Sequence, residues 1–470
     1  MLFLPELTLL AAGLIFFLLS LGQPGGISSK NTAIVLASVT LLASLLCIGQ
    51  KGELFYAALR IDLFSQVFKA LIAAATLLVL LFDSGRTGIK KDSRPEYYLF
   101  LFISAFGLMM LVSSVELLAL FIALELSSFA VYIMVPMRDT SSGSSFQMEA
   151  GIKYLLFGVM ATGFMLFGIS YIYGLTGSSQ LDVITEQLPQ ITSQPTAIIA
   201  MLMILAGFFY KLALFPFHFW VPDVYEGAAN ETTSFIAAVP KLAAVALLIR
   251  LIAMVGEEGQ IMLNLLMVCS ILSMFYGNLS ALVQKDLKRM LGFSGIAHAG
   301  FVLLGLLTFQ LTGYANAFYY IAGYVFMNLA CFLVICSVSQ DGKNLTIDDL
   351  SGLHKRAPLL ALALTIGLFS LAGIPPFVGF AGKFMLLVGA LKQDYLLLVV
   401  LAAINTGIAI YYYLSVVRVT FCSDPANQEP IKINSLTSFA ALVLIFLIVG
   451  MGIYPPLFLD IATTTLQSIM

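Results

Sequence analysis

Charge is what this sequence has least of: Asp, Glu, Lys and Arg make up 10% of its 470 residues, against about 25% in an ordinary soluble domain. Apolar residues make up 60% and the mean hydropathy is +1.00. No water-surrounded core hides that much apolar surface, so a soluble globular fold is excluded and lipid becomes the solvent. The net charge of −2 supplies no basic face, which argues against nucleic acid. Cysteine is scarce and scattered. Cys47, Cys269, Cys331, Cys336 and Cys422 form no CxxC pair and mostly lie inside apolar runs, so they read as small buried hydrophobes and not as zinc or iron–sulfur ligands. Nucleotide and hydrolase signatures are missing too: there is no GxGxxG, GxxxxGK[ST], HExxH or GxSxG context. Any work the chain performs must draw on an ion gradient or on a partner.

What the sequence does have is long apolar runs. A helix crossing a roughly 30 Å hydrocarbon layer needs about 20 apolar residues. Runs meeting that test fall near 3–21, 32–49, 62–82, 97–112, 115–136, 150–174, 196–217, 231–254, 261–281, 290–308, 314–338, 358–390, 396–421 and 435–457. The expectation is an all-α polytopic membrane protein of about fourteen spans, a single integral membrane domain over 1–470. These runs are too long for the roughly 10-residue strands of a membrane barrel. The first run lacks a basic leader and a small-residue cleavage site, so it reads as a retained helix. With fourteen spans, alternate loops carry thirteen basic residues on one face (Lys30, Arg86, Lys90, Lys91, Arg94, Arg138, Lys285, Lys288, Arg289, Lys343, Lys355, Arg356 and Lys432). The other face carries three, Lys51, Arg60 and Lys392. Basic loops stay cytoplasmic, which puts both termini outside.

Two spans read as interrupted. Span 7 contains GFFYKLALFPFHFW with Pro216, and span 12 contains SLAGIPPFVGFAGKF with Pro375 and Pro376. Proline removes a backbone donor, and in lipid the freed carbonyls must line protein or water. Broken helices five spans apart, each near a lysine, suggest two five-helix repeats, spans 4–8 (97–254) and spans 9–13 (261–421), flanked by 1–96 and 435–457. An odd helix number inverts the second copy, as in many transporters.

Against this apolar background a few ionisable groups stand out: Glu125, Lys153, Lys211, Lys241, His298 and Lys383. Each costs at least about 2.5–3.5 kcal/mol at the bilayer centre and therefore needs a reason. Burial disfavours a charged lysine and a neighbouring carboxylate favours it, so a lysine whose partner moves can take up and release a proton. Glu125 and His298 lie about ten residues into their spans, too deep to reach the interface. Lys153, nearer a span end, can snorkel. Lys69 and Arg250 also lie towards span ends, and replacing Lys69 is expected to be nearly silent. A static ion pair or satisfied polar contact is the plainer alternative for every one of these residues.

Four segments carry a resemblance: EAGIKYLLFGVMATGFMLFGISYIYGLTGS, AGFFYKLALFPFHFWVPDVYEGAANETTSFIAAVPKLAAVALL, YGNLSALVQKDLKRMLGFSGIAHAGF and LAGIPPFVGFAGKF. They closely resemble subunit N of bacterial NADH:quinone oxidoreductase, one of the antiporter-like subunits shared by complex I and multisubunit Na⁺/H⁺ antiporters. The resemblance covers spans 4–13. It implies a fourteen-helix fold with inverted repeats and a hydrated axis of charged residues. In that axis Glu125 modulates Lys211, Lys241 relays, and Lys383 ends the path, with Lys153 matching a span-6 lysine of less defined role. His298 joins the proton-transfer candidates on its depth in span 10 alone. Lysine at 383 favours N over its sister subunit M, expected to carry glutamate there, and the absence of a long lateral helix after span 14 argues against subunit L. The resemblance further implies no cofactor in this chain. NADH, FMN, iron–sulfur clusters and quinone would belong to partner subunits, and the neighbours in the bacterial inner membrane would be the M subunit and small K-type subunits. Three other readings stay open: a subunit of a stand-alone Na⁺/H⁺ antiporter, an N-like subunit fed by ferredoxin or a deazaflavin, and a structural scaffold.

Overall fold

A computed structural model describes residues 1–22, 29–82, 88–139, 146–191, 194–255, 260–339, 342–424 and 429–469. Arg86, one of the basic loop residues counted above, lies outside the described residues. The chain opens with α1 (Leu4–Leu21) and α2 (Ser29–Leu46), a hairpin of β1 (Gly52–Leu54) and β2 (Leu59–Ile61), and α3 (Leu63–Leu81). It continues with α4 (Arg94–Ser113), α5 (Leu117–Met134), α6 (Gln147–Thr176), α7 (Leu181–Ile191), α8 (Pro195–Leu212), α9 (Trp220–Gly227) and α10 (Asn230–Val255). Next come α11 (Gln260–Ala281), α12 (Leu287–Leu306), α13 (Leu311–Val338), α14 (Leu353–Arg356), α15 (Pro358–Ala372) and α16 (Val378–Leu391). The last elements are α17 (Leu396–Cys422), α18 (Ser435–Ile453) and α19 (Pro455–Leu466).

Among the described residues thirteen helices are long and apolar enough to cross a membrane, and α15 and α16 are two shorter apolar helices filling the interrupted run at 358–390. Polar residues next to the helix ends cap them. Asp62 accepts from Ser65 N at 2.7 Å at the start of α3, Glu116 from Ala119 N at 2.6 Å at α5, and Asp286 from Arg289 N at 2.9 Å at α12. Each cap satisfies a backbone donor that lipid could not.

The helices differ sharply in what surrounds them. Those at the centre, α10, α12 and α13, are almost wholly enclosed by their neighbours, while α1, α2, α17 and α18 bury only about a third of their surface positions. Large apolar side chains such as Leu18, Leu42, Tyr411 and Phe446 point outward from the peripheral helices. An outward apolar surface suits lipid or other membrane subunits. The buried centre is where polar side chains must find partners inside the protein, and it is there that Lys241 and His298 sit.

Both interrupted spans break in the same way. Helix α8 ends where Ala213 turns left-handed (φ 63°); its N–H meets Tyr210 O at 3.1 Å, and Leu214 N meets Phe209 O at 2.8 Å. Helix α15 ends where Gly373 turns left-handed (φ 86°), with its N–H meeting Ser370 O at 3.0 Å and Ile374 N meeting Phe369 O at 2.9 Å. This paired 5→2 and 6→1 bonding closes a helix C-terminus without water. A proline follows each, after the cis bonds Phe215–Pro216 and Pro375–Pro376.

Three elements depart from the sequence reading. The β1–β2 hairpin is a short antiparallel pair, Gly52 opposite Ile61, in a connection where no strand was expected. Helix α7 buries Leu181, Ile184, Leu188 and Ile191 along one side, an amphipathic pattern too short and too polar to register in a search for apolar runs. Helix α19 continues past Tyr454 and packs on α13 and α3.

Candidate functional site

Lys211 lies in the last turn of α8, where the break points its side chain inward. It is 3% exposed. Its ammonium donates to Ser128 Oγ at 2.9 Å and Ser127 Oγ at 3.3 Å on α5. One turn away on α5, Glu125 is within electrostatic range of Lys211 but makes no ion-pair contact with it. Glu125 Oε1 is buried with no hydrogen-bond partner in the chain. Beside it a lateral groove lined by Phe121, Ile122, Phe129, Val159 and Thr162 opens at the surface. Helices α4 and α5 approach so closely here that a Cβ on Gly107 would come 2.7 Å from Ser127 N. That approach fixes the backbone of the segment that holds Lys211.

Lys241 projects from the central helix α10 and is 2% exposed. Its ammonium donates to Tyr324 Oη at 3.0 Å and Gly295 O at 3.4 Å, and lies 4.9 Å from the centroid of the Tyr324 ring. Asn328 Nδ2 also donates to Tyr324 Oη, at 2.9 Å, and to Ala237 O at 3.1 Å. Gly295 leaves room for both groups: a Cβ there would come 2.7 Å from Lys241 Nζ and 2.9 Å from Tyr324 Oη, and these side-chain ends would have to shift. Nearby, His298 is buried between two phenols, Tyr320 Oη at 2.6 Å from Nδ1 and Tyr413 Oη at 3.1 Å from Nε2. It lies within electrostatic range of both Lys241 and Lys383.

Lys383 reaches the second break from the far side. It sits on α16, 3% exposed, and donates back to Leu371 O at 2.8 Å and Ala372 O at 3.4 Å, the carbonyls that end α15. The ammonium also lies 5.0 Å from the centroid of the Phe301 ring. A cation at a helix C-terminus meets both free carbonyls and the negative end of the dipole.

Thus, among the described residues, four of the five buried lysines in the apolar helices, Lys211, Lys241, Lys383 and Lys288 (which donates to Ala228 O at 2.8 Å), hold their ammonium on neutral oxygens. The exception is Lys69, which pairs with Glu6 at 2.6 Å, both side chains at 0% exposure. Arg250 similarly pairs with Asp62 at 2.9 Å. The expectation that replacing Lys69 is nearly silent therefore needs correcting: removal would strand a buried carboxylate. The structure also separates Lys153 from the other candidates. It lies partly exposed at the start of α6, bonded to Glu149 at 2.7 Å and Asp223 at 2.6 Å, while Arg289 joins Asp223 at 2.9 Å and Glu226 at 2.7 Å. This surface network ties α6, α9 and α12 together. Snorkelling, not depth, describes Lys153.

Several residues beside the candidates were passed over in the sequence. Ser127 and Ser128 hold Lys211; Tyr320, Tyr324 and Asn328 recur every four residues along one face of α13, a polar stripe that could have been read. His218, in the first break, is fully buried beside Phe215, Phe219 and Tyr276, and neither ring nitrogen is hydrogen-bonded within the chain. Among the described residues no cluster of His, Cys, Asp or Glu has the makings of a metal site.

Residues 114–409 match the family described as NADH:quinone oxidoreductase/Mrp antiporter, transmembrane. The chain is 49% identical over 468 residues to NADH-quinone oxidoreductase subunit N 2 of Opitutus terrae, covering 99% of this chain and 98% of that one. It is 41% identical to the Syntrophobacter fumaroxidans protein of the same name, over 100% of this chain and 99% of the other. Among solved structures it superposes on a chain of respiratory complex I from Thermus thermophilus with a TM-score of 0.83 and 30% identity, covering 97% and 98% of the two chains. A chain of the Mrp complex from Dietzia shares the fold at TM-score 0.87 and 19% identity, covering 100% and 96%. A polytopic helical chain with two broken helices, matched along its whole length in this way, belongs to the subunit N family of NADH-quinone oxidoreductases, within the antiporter-like membrane subunits.

Proposed function

We propose that this subunit carries protons through the membrane arm of its quinone oxidoreductase along Glu125, Lys211, Lys241, His298 and Lys383. The observation that carries the reading is the contrast among buried lysines. Lys69 has the carboxylate partner a static charge needs. Lys211, Lys241 and Lys383 rest on hydroxyls and carbonyls, partners that keep a lysine in place without locking it into a permanent ion pair. Glu125, near Lys211 but not bonded to it, is the group whose movement would tune that lysine.

The path is built on two inverted repeats. Their support is the matching closure of α8 and α15. A second match lies in the paired approaches of Gly107 to Ala123 O and Ser127 N, and of Gly277 to Phe293 O and Ala297 N. Quinone reduction in partner subunits, which would hold NADH, FMN, iron–sulfur clusters and quinone, drives the transfers. The M and small K-type subunits cover the lateral faces, in a bacterial inner membrane with both termini periplasmic. The test is the intact complex purified in mild detergent and reconstituted into vesicles, with Glu125→Gln. The reading predicts recovery of flavin and iron–sulfur subunits and a loss of pumping in the variant. Unchanged transport with a gain in stability would make the chain a scaffold.

A further inference from the structure

His298 lies within electrostatic range of both Lys241 and Lys383, and its own hydrogen-bond partners are aromatic hydroxyls. His298 on α12, Tyr320 on α13 and Tyr413 on α17 are 4%, 1% and 0% exposed. Both imidazole nitrogens are already engaged, Nδ1 by Tyr320 Oη at 2.6 Å and Nε2 by Tyr413 Oη at 3.1 Å. A neutral imidazole has one N–H and one lone pair, so one phenol donates to it and the other accepts. Which does which depends on the tautomer. With both nitrogens taken, a proton crossing this ring has to enter and leave through the phenols. The polar contacts continue beyond Tyr413: its neighbour Tyr412 donates to Asn278 Oδ1 at 3.0 Å, and Asn278 Nδ2 donates to Asn405 Oδ1 at 3.0 Å. On the other side Tyr320 stands one turn from Tyr324, the hydroxyl that holds Lys241.

We propose that Tyr320, His298 and Tyr413 form a three-member hydroxyl–imidazole relay joining the Lys241 and Lys383 ends of the path, with the Tyr413 hydroxyl as one of its proton-carrying groups. This rests on the proton-conducting reading above and names residues within it. In one pass a proton binds Tyr320 Oη and the proton already there moves to Nδ1. The Nε2 proton then moves to Tyr413 Oη, and the hydroxyl proton of Tyr413 departs. Each O–H or N–H bond broken is matched by one formed. The imidazole ends in its other tautomer, and its return resets the relay. Flow in the opposite direction uses the same steps reversed.

The test uses the assembled, vesicle-reconstituted complex with four single variants. Tyr413→Phe and Tyr320→Phe keep the ring and delete the hydroxyl. Tyr411→Phe alters an outward-facing tyrosine on the same helix, 71% exposed, and Lys211→Ala reports on the wider reading. Removing a positioned proton-transfer group costs on the order of a hundredfold in rate. Tyr413→Phe and Tyr320→Phe should lower pumping by about that factor with normal assembly, and Tyr411→Phe should leave it unchanged. If Lys211→Ala stops pumping while Tyr413→Phe pumps at the parental rate, the relay is wrong and the lysine path stands. If Lys211→Ala pumps normally, the path itself fails. Should Tyr413→Phe not assemble, fluorotyrosines of graded acidity at 413 decide: a pumping rate that tracks phenol acidity supports the relay, and a constant rate overturns it.

Discussion

The first broken helix and the second share a backbone and differ in where the lysine stands. At both breaks a left-handed residue caps the helix with the same pair of hydrogen bonds. Lys211 precedes its break and reaches across to hydroxyls on another helix, whereas Lys383 follows its break and folds back onto the carbonyls of the helix just ended. A serine hydroxyl can donate or accept, so Ser127 and Ser128 can serve lysine in either protonation state; a carbonyl only accepts. One device of the chain thus supports two kinds of proton site, the first with hydrogen-bond partners on side chains of α5 and the second with main-chain acceptors.

That difference can be tested in graded steps. The largest effect should come from Lys383→Ala, which empties the second break and should abolish pumping in reconstituted vesicles while the complex still assembles. Removing the hydroxyls at the first break, Ser127→Ala with Ser128→Ala, strips two charge-assisted hydrogen bonds, each worth about 1.5–3 kcal/mol, and should slow pumping by about tenfold or more. The second break has no equivalent weak point, since its acceptors, Leu371 O and Ala372 O, survive any side-chain change. Backbone substitutions should act with opposite sign at the two caps. Gly373→Ala places a Cβ 3.2 Å from Lys383 Cδ and costs about 1–2 kcal/mol for its left-handed conformation. Ala213→Gly relieves the same strain at φ 63°, and thermal unfolding of the complex should shift down for the former and not for the latter. Lys69→Ala should leave the proton-to-electron ratio unaltered. Breaking its buried pair with Glu6 should still cost about 3–5 kcal/mol of stability, read as lower yield and earlier unfolding. An altered ratio there would erase the distinction between paired and unpaired lysines.

How much of this was legible beforehand follows from the physics of each signal. Long apolar runs, the prolines of the two breaks and Glu125, Lys211, Lys241 and Lys383 stand out because lipid penalises exceptions so heavily. Ser127, Ser128, Tyr320, Tyr324 and Tyr413 did not stand out. A serine or tyrosine is cheap in a membrane helix, and Tyr320 and Tyr324 sit in the run YANAFYYIAGYVF, where they read as bulky apolar residues. Depth misled at Lys69, whereas Lys153 already reads in the sequence as near enough to a span end to snorkel. Lys153 proved a partly exposed member of a surface network, and Lys69, assigned to a span end, proved fully buried. Position along a run says nothing about which way a side chain points or which acid awaits it.

The most direct test of the central claim is the proton-to-electron ratio of the reconstituted complex carrying Lys211→Ala. A buried lysine on neutral oxygens that carries protons predicts that pumping is lost, with quinone reduction slowed or uncoupled. Full, coupled pumping in that variant would contradict the account.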